Sequence, residues 1–365
     1  MVEELLAKAG VTIGGSAPQD IQVYDKAMYG RVLRHGSLGL GEAYMDGQWD
    51  ANDLAVFIEY VLRARLDRTV NRTLDTWVLV LQAAFSNLQG RFRARQVAKQ
   101  HYDLTDILPS PLLDPYNQYT CAYFDQTTDL DTAQERKLDL ICRKLRFRKE
   151  DRVLDIGCGW GGLAKYIAEH YGCHVTGISI SEEQIAYAKN FCAGLPVDIQ
   201  FQDYRDLTGQ YDKIVCVGMI EHVGYKNYKD FFRIVRGHLV PEGLFLLHTI
   251  GDNRSLTVGD PFLHKYIFPN GQLPSLQQIT ASMVDCFTLQ DQQNLAHHYM
   301  PTLKAWHHNM QTHWQELAKQ YDERFRRMFE FYLLSCAGAF HAGAIQHWQL
   351  VFAPVERVMD YRGPR

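Results

Sequence analysis

The second half of the chain alternates short apolar runs with amphipathic stretches. Apolar runs predict strands at 152–156, 174–178, 197–201, 213–217 and 243–249, and helices are predicted between most of them at 163–171, 182–192 and 228–239. Asn227 is expected to cap the last of these helices. Two more strands are predicted at 287–294 and 345–352, with long helices between them over about 302–340. This alternation indicates βαβ units, so we expect a doubly wound α/β sheet that closes with an antiparallel pair at one edge.

The first part of the chain has a different pattern. Residues 1–88 are predicted to be mostly helical with loops, because apolar positions near 54–62 and 79–85 fall at helical spacing. Residues 89–100 then contain four cations and no acid, and we place the domain junction there. This run is either a solvated linker or a patch that faces anionic lipid headgroups.

Composition narrows the class of protein. The chain has 365 residues, 46% of them hydrophobic, and a net charge of −4, so no global field recruits nucleic acid or membrane. Its eight cysteines form no CxxC pair, and histidines at 297–298, 307–308 and 313 accompany no metal-binding motif, so we expect no metal site and a solvated histidine face. The acidic start is unlike a signal peptide and no apolar stretch spans a bilayer. We expect a cytoplasmic protein with reduced thiols.

A glycine-rich turn is the strongest local signal. Gly157, Gly159 and Gly162 satisfy GxGxxG directly after a predicted strand and before a predicted helix. A dinucleotide site would place an acid about 20 residues further on, yet residues 177–181 contain none, which argues against an oxidoreductase. Asp155 instead lies two residues before the first glycine. This arrangement resembles the DxGxG loop of class I S-adenosylmethionine (SAM) methyltransferases.

Longer stretches make the resemblance specific. They read QYTCAYF at 118–124, QDYRD at 202–206, GMIEHVG at 218–224, LHTIG at 247–251 and YLLSCAGAF at 332–340. With the glycine turn, they resemble cyclopropane fatty acid synthases over nearly the whole chain. GSLGLGEAYMDG at 36–47 looks like the bacterial phospholipid-acting branch, which is related to the mycolic acid cyclopropane synthases.

The resemblance implies a fold and a domain organisation. It implies a Rossmann-like class I SAM-dependent methyltransferase fold with a smaller, mostly helical N-terminal domain. We therefore expect a lipid- or membrane-docking domain at 1–88, a basic linker at 89–100 and the catalytic domain at 101–365.

The resemblance also implies a reaction. A cis double bond of a phospholipid acyl chain takes the methyl group of SAM, and loss of a proton from that methyl closes a cyclopropane ring. Bound bicarbonate would be the base, and a bicarbonate cage would be formed by Cys121, Glu221, His248, the Ile250 backbone and Tyr299. The sequence pattern supports part of this cage. Glu221 follows one predicted strand and His248 lies near the end of the next, so both would face one crevice.

Each of these residues has a simpler interpretation that the sequence leaves open. Glu221 is also compatible with a surface acid beside a loop, and His248 with a core histidine whose hydrogen bonds are all made. Cys121 is compatible with a small buried hydrophobic residue. Cys336 is the family's reputed active-site cysteine, but it lies in a run of small residues where close helix packing explains it equally well.

Cofactor contacts follow from the same resemblance. Tyr119 and Thr120 would reach the methionyl end of SAM, and the glycine turn would lie beneath it. Ser179, Ile180 and Gln184 would lie near the ribose, and Tyr204 and Arg205 would flank the adenine. The complete set of expected cofactor-binding residues is Tyr119, Thr120, Asp155, Gly157, Cys158, Gly159, Gly162, Ser179, Ile180, Gln184, Tyr204 and Arg205.

Two other functions remain open at this point. One is a SAM-dependent C- or O-methyltransferase on a lipid or small molecule, without ring closure. The other is a non-catalytic lipid-binding protein that uses the N-terminal segment and the basic run. The leading prediction adds unsaturated phospholipid as substrate, transient contact with the inner face of the membrane and a homodimer, with no nucleic acid. The basic stretch at 143–149 is either solvated surface or a contact with anionic phospholipid.

Overall fold

A computed structural model describes residues 2–66 and 111–365. Its described residues form two compact units. One contains residues 2–66, Thr257–Gly271 and Tyr299–Ile345, and the other contains residues 111–256, Gln272–His298 and Gln346–Arg365. Within these described ranges, no helix has the length and apolar character needed to cross a membrane. The basic run at 89–100 lies outside the described residues.

The elements are numbered here in chain order. The helices are α1 (Val2–Lys8), α2 (Ala27–Met45), α3 (Leu54–Arg63), α4 (Leu130–Leu145), α5 (Gly162–Tyr171), α6 (Glu182–Phe191), α7 (Tyr228–His238), α8 (Pro261–Tyr266), α9 (Leu276–Met283), α10 (Ala296–Thr312), α11 (Trp314–Leu317) and α12 (Glu323–His341). The strands are β1 (Ile21–Val23), β2 (Trp49–Ala51), β3 (Arg152–Ile156), β4 (His174–Ser179), β5 (Val197–Phe201), β6 (Tyr211–Val217), β7 (Leu239–Gly251), β8 (Phe287–Asn294) and β9 (Gln346–Pro354). Short 3₁₀ turns lie at Tyr204–Asp206, Ile220–His222 and Tyr225–Asn227.

The larger unit is built on a seven-stranded sheet. Its strand order is β5-β4-β3-β6-β7-β9-β8, with the first five strands parallel and β9 antiparallel to both β7 and β8. Apolar side chains fill both faces, in agreement with the continuous apolar strands read from the sequence. The predicted doubly wound sheet with an antiparallel edge is confirmed. The order switches between β3 and β6, which in such sheets opens a crevice at the carboxyl ends of the strands.

The smaller unit packs helices around aromatic side chains. Helix α12 lies against α2 and α3. The Phe331 ring on α12 is 5.6 Å from the Tyr44 ring and 6.4 Å from the Trp49 ring, measured between centroids. Strands β1 and β2 form a small antiparallel pair within the region predicted to be mostly helical. Aromatic pairs at such distances stabilise a core beyond the area they bury.

The domain boundaries differ from the predicted ones. The segment 101–365 is not one continuous domain, because Thr257–Gly271 and Tyr299–Ile345 belong to the unit that contains residues 2–66. The physical reason is the apolar face of α12, which finds its partners on α2 and α3. Asn227 precedes α7 as predicted, but its amide Nδ2 donates to the Val223 carbonyl at 2.7 Å and its side chain does not cap the helix.

Candidate active site

The glycine-rich turn joins β3 to α5 at the carboxyl edge of the sheet. Gly157 has φ +81°, and a Cβ atom there would lie 2.8 Å from the Met219 side chain, so a larger residue would strain the backbone and displace Met219. Gly159 has φ +53°, and a Cβ atom there would meet nothing within 4 Å. The backbones of Gly157 and Cys158 both donate to the Ile178 carbonyl, at 2.9 and 3.0 Å. The turn is thus fixed from below and leaves space above Gly159 for a ligand.

Asp155 is the penultimate residue of β3, two residues before Gly157. Its side chain is only 1% exposed, and among the described residues its Oδ2 has no hydrogen-bond partner. Burial raises the pKa of Asp155 to about 7, although the Lys137 ammonium acts in the opposite direction. A buried carboxylate oxygen without a donor is costly, so this atom fits a ligand that brings a donor, such as the ammonium of a methionyl group.

The positions predicted near the ribose and adenine lie at the ends of β4 and β5. The Ser179 hydroxyl donates to Gln184 Oε1 at 3.1 Å, which ties the end of β4 to the first turn of α6. The buried Tyr204 ring lies 5.4 Å from the Phe231 ring. Arg205 pairs with Asp203 at 3.0 Å, and its guanidinium carbon lies 4.8 Å from the centroid of the Tyr204 ring. These groups share the edge that the glycine turn occupies.

Glu221 lies in the 3₁₀ turn that follows β6. Its Oε1 accepts the backbone N–H of Ile250 at 2.8 Å, and among the described residues its Oε2 is buried without a hydrogen-bond partner. Burial raises the pKa of Glu221 to about 7, and hydrogen bonds from the Ile250 backbone and the Thr249 side chain lower it. The turn is fixed to β7, because Gly218 N–H donates to the His248 carbonyl at 2.9 Å. Glu221 is therefore a buried acid, not the surface acid of the simpler interpretation.

His248 lies on β7 and is fully buried. Its Nε2 is 2.8 Å from His347 Nε2, and its Nδ1 is 3.2 Å from Gln349 Nε2. Burial and the neighbouring His347 hold the pKa of His248 well below its usual value, so the ring is neutral at physiological pH. Since both ring nitrogens contact side chains of β9, His248 has the surroundings of a core histidine held in one orientation.

Cys121 is also buried, with no exposed surface. Its Sγ lies 3.3 Å from the Ala122 carbonyl and 3.8 Å from the Leu295 carbonyl, both acceptors for the thiol proton. The structure thus brings Glu221 and the Ile250 backbone into direct contact, and His248 lies two residues before Ile250 on β7. It gives Cys121 a separate set of carbonyl contacts.

Tyr299 and Cys336 belong to the smaller unit. The Tyr299 ring stacks on the Phe340 ring with centroids 4.4 Å apart. Burial raises the pKa of the Cys336 thiol to about 12, so this thiol stays protonated and is a poor nucleophile. Two residues further on, a Cβ at Gly338 would overlap the Ala55 carbonyl and lie 3.0 Å from Ile58 Cβ. Close packing on α3 thus accounts for the small residues around Cys336, whose predicted catalytic role remains a prediction.

Sequence reasoning missed several residues that shape this edge. His347 and Gln349 on β9 contact His248, and Thr249 acts on Glu221. Polar residues at 347 and 349 inside an apolar strand were the available signal. The predicted solvated histidine face is wrong at two positions: His298 is buried and accepts the Phe124 N–H at 3.2 Å, and His307 pairs with Glu330 at 3.0 Å.

The sheet order, the glycine turn above β3 and the buried acid beneath it place the chain among the class I SAM-dependent methyltransferases. Comparison with known proteins specifies the family. The model of the mycolic acid cyclopropane synthetase family matches residues 89–350, and the chain belongs to this family.

Individual relatives agree with this assignment. The chain is 49% identical over 353 residues to cyclopropane-fatty-acyl-phospholipid synthase of Escherichia coli (strain K12), covering 97% of this chain and 92% of that protein. It is 32% identical over 370 residues to tuberculostearic acid methyltransferase UfaA1 of Mycobacterium tuberculosis, covering 94% and 86%. Among solved structures, mycolic acid cyclopropane synthase CmaA1 complexed with SAH and CTAB aligns with a TM-score of 0.64 and 30% identity, covering 71% of this chain and 97% of that one.

Proposed function

We propose that this enzyme transfers a methylene group from SAM to the cis double bond of unsaturated phospholipid acyl chains. The products are a cyclopropane fatty acyl phospholipid, S-adenosylhomocysteine (SAH) and one proton. The observation that carries the proposal is Glu221, a buried acid held by the Ile250 N–H beside the switch point of a methyltransferase sheet. The similarity to the E. coli synthase along 97% of the chain supports the same substrate class.

The chain's residues suit this chemistry. Bound SAM supplies an electrophilic methyl group, and an alkene has no proton to lose before it attacks. No base beside the nucleophile is therefore needed, and the residues must instead orient the two reactants and keep water from the developing cation. A carboxyl group whose pKa is near 7 can lie close to that cation in its ionised form. Neutral His248, one strand away, adds no repulsive charge.

Ring closure also needs a base for the proton of the transferred methyl. We assign this role to bicarbonate, held by Cys121, Glu221, His248 and the Ile250 backbone, while the contact predicted for Tyr299 stays a prediction. Two observations support a small polar ligand here: Glu221 Oε2 is buried without a partner among the described residues, and the raised pKa of Glu221 lets it share a proton with an oxyanion. A dependence of ring closure on added bicarbonate, in buffer depleted of carbon dioxide, is the expected result.

Lipid chains have to be reached at a membrane surface. We propose that the enzyme is cytoplasmic and meets the inner face of the membrane transiently through residues 1–88 and the basic run at 89–100, and that it acts as a homodimer. Support comes from the four cations of that run. Replacing Arg91, Arg93 and Arg95 by serine should weaken sedimentation with anionic phospholipid vesicles and leave SAH affinity unchanged. Equal sedimentation would remove the run from the membrane contact, and sedimentation velocity tests the dimer.

Mass spectrometry of phospholipid acyl chains tests the central proposal. The protein is produced in a bacterial host that lacks cyclopropane synthase activity. A mass gain of about 14 Da on monounsaturated chains, with the double bond lost, is the expected result. No lipid change, for a folded protein that binds SAH, would overturn the substrate assignment.

A second candidate function is methyl transfer to the acyl chain without ring closure. It is favoured by the 32% identity to a tuberculostearic acid methyltransferase along 94% of the chain. The same mass gain with a branched methyl group or a retained double bond would identify it. Because both reactions use the same cofactor edge, only the fate of the double bond separates them.

A further inference from the structure

Helix α4 carries two lysines whose side chains have no exposed surface, Lys137 and Lys144. Lys144 pairs with Asp291 at 3.4 Å. Lys137 instead donates to two uncharged acceptors, Gln118 Oε1 at 2.6 Å and Thr120 Oγ1 at 2.9 Å. Of the two interpretations of the basic stretch at 143–149, solvated surface is therefore wrong at Lys144. Lys137 could not be singled out from the sequence, because a single lysine in an amphipathic helix gives no sequence signal.

Lys137 contacts the segment 118–120, and a second residue of α4 contacts the same segment. Gln134, one turn earlier on α4, donates through Nε2 to the carbonyls of Gln118 at 3.3 Å and Thr120 at 2.9 Å. Asp114 accepts the Gln118 N–H at 2.7 Å from the other side. The backbone of residues 118–120 is thus fixed by Gln134 and Asp114, and their polar side chains are fixed by Lys137.

These side chains in turn contact the carboxyl edge of the sheet. A Cβ at Gly162, the first residue of α5, would overlap the Tyr116 carbonyl and lie 2.6 Å from Gln118 Nε2. A Cβ at Gly218, directly after β6, would lie 2.9 Å from Thr120 Cγ2. The two acceptors of Lys137 therefore meet the sheet on both sides of its switch point, one beside the glycine-rich turn and one beside the Glu221 turn.

The charge of Lys137 is unusual for such a position. Burying an ammonium group costs several kcal/mol unless nearby groups compensate for the lost water. Burial lowers the pKa of Lys137 to about 8, and Asp114, Cys121 and Asp155 act to raise it through charge. A buried apolar residue of the same length would fill this space at lower cost. The lysine is therefore better explained by its effect on the cofactor edge than by packing.

We propose that Lys137 is a positioning residue for SAM. It fixes Gln118 and Thr120 against Gly162 and Gly218, and it supplies the positive charge opposite Asp155 at the methionyl end of the cofactor. The inference rests on the SAM-binding part of the proposed function. It is independent of the lipid product, so it stands even if the product is a branched methyl chain.

The test compares Lys137→Met with Lys144→Met. Both variants remove a fully buried ammonium from the same helix and keep the length of the side chain. In Lys144→Met, Asp291 keeps its ion pair with Arg365 at 2.7 Å. Calorimetric titration of the full chain with SAH, without lipid, measures cofactor affinity, and thermal unfolding measures stability.

We expect Lys137→Met to weaken SAH binding roughly ten- to a hundredfold, the effect of losing a charged hydrogen-bond donor. Lys144→Met should bind SAH within twofold of the parent, although both variants lose thermal stability. In steady-state assays, KM for SAM should rise in Lys137→Met by more than kcat falls. SAH affinities within twofold of the parent in both variants, with equal losses of stability, would show a structural role only.

A second variant covers the case in which Lys137→Met does not fold. Thr120→Val removes one acceptor of Lys137 and keeps the shape of the side chain that meets Gly218. We expect SAH affinity to fall severalfold in this variant. An unchanged affinity would overturn the proposal, because the contact through which Lys137 is argued to act would then be without effect.

Discussion

Two buried acids lie at the carboxyl ends of the neighbouring strands β3 and β6 and have nearly the same pKa, but the groups around them differ. Asp155 on β3 and Glu221 after β6 are both raised to about 7 by burial. Asp155 lies within the field of a lysine ammonium, which opposes the effect of burial. Glu221 is supported by the Ile250 N–H and the Thr249 side chain, beside a pair of neutral histidines on the next two strands.

The difference in surroundings indicates a difference in role. With Lys137 nearby, Asp155 belongs to a site that already contains both signs of charge, which suits the zwitterionic methionyl end of SAM. Glu221 has only dipoles for support, so it gains most when a positive charge develops beside it or when it takes up a proton. We therefore propose that the first acid acts in cofactor binding and the second in the chemical step.

Glu221→Gln should have the largest effect. It keeps an oxygen for the Ile250 N–H and removes the ionisable group, so we expect the rate of ring closure to fall at least a hundredfold. SAH affinity should stay within twofold, since Asp155 and the glycine turn are untouched. Acyl-chain mass spectrometry and calorimetry measure the two quantities, with exposed Glu182→Gln as the control. Wild-type activity would show that Glu221 is not part of the machinery.

Asp155→Asn should have a smaller effect than Glu221→Gln, and it should act on cofactor affinity more than on the rate of ring closure. It removes the negative charge opposite Lys137, and we expect SAH affinity to fall about tenfold, the usual scale of one charged hydrogen bond. At saturating SAM, the rate of lipid conversion should fall by less than this factor. A variant that binds SAH normally but cannot close the ring would reverse the assignment of the two acids.

Much of the fold could be predicted from the chain because its signals are local. The strands β3, β5 and β8 match the predicted bounds, since each is a short run between turn residues. The glycine turn could be located for the same reason: its spacing is a backbone requirement. The grouping of Tyr299–Ile345 with residues 2–66 could not be predicted from the sequence, because it depends on which helix faces fit together.

The site, like the fold, has some residues that local sequence predicts and others that only long-range pairing explains. Glu221 and His248 could be placed near each other from strand ends alone, and the structure joins the segment before Glu221 to β7 through the hydrogen bond from Gly218 N–H to the His248 carbonyl. The contacts of His248 with His347 and Gln349 come from the antiparallel register of β7 and β9, which brings together residues about 100 positions apart. Local sequence contains no such register, so these partners required the structure.

The pH dependence of stability distinguishes burial of Glu221 from its catalytic role. Its folded pKa of about 7 lies above the ordinary value of 4.5, so the unfolded chain ionises first and folding stability falls as pH rises from about 4.5 to 7. Glu221→Gln removes this loss. We expect it to be more stable than the parent by roughly 3 kcal/mol at pH 8, and by less at pH 5.5. Chemical unfolding at both values checks the sign, and a pH-independent difference would argue against a buried ionisable group.

Gln349→Met should have the smallest effect. Gln349 is fully buried, its Nε2 contacts His248 Nδ1, and among the described residues its Oε1 has no hydrogen-bond partner. Methionine removes one hydrogen bond and one unsatisfied oxygen together, so we expect stability to change by less than about 1 kcal/mol. If His248 acts beside Glu221, however, loss of the contact that fixes its ring should slow ring closure about three- to tenfold and leave SAH affinity unchanged. Gln293→Met, at the register position opposite Gln349 on β8, is the matched control. Full activity in both variants would make His248 a core residue and confine the chemistry to Glu221.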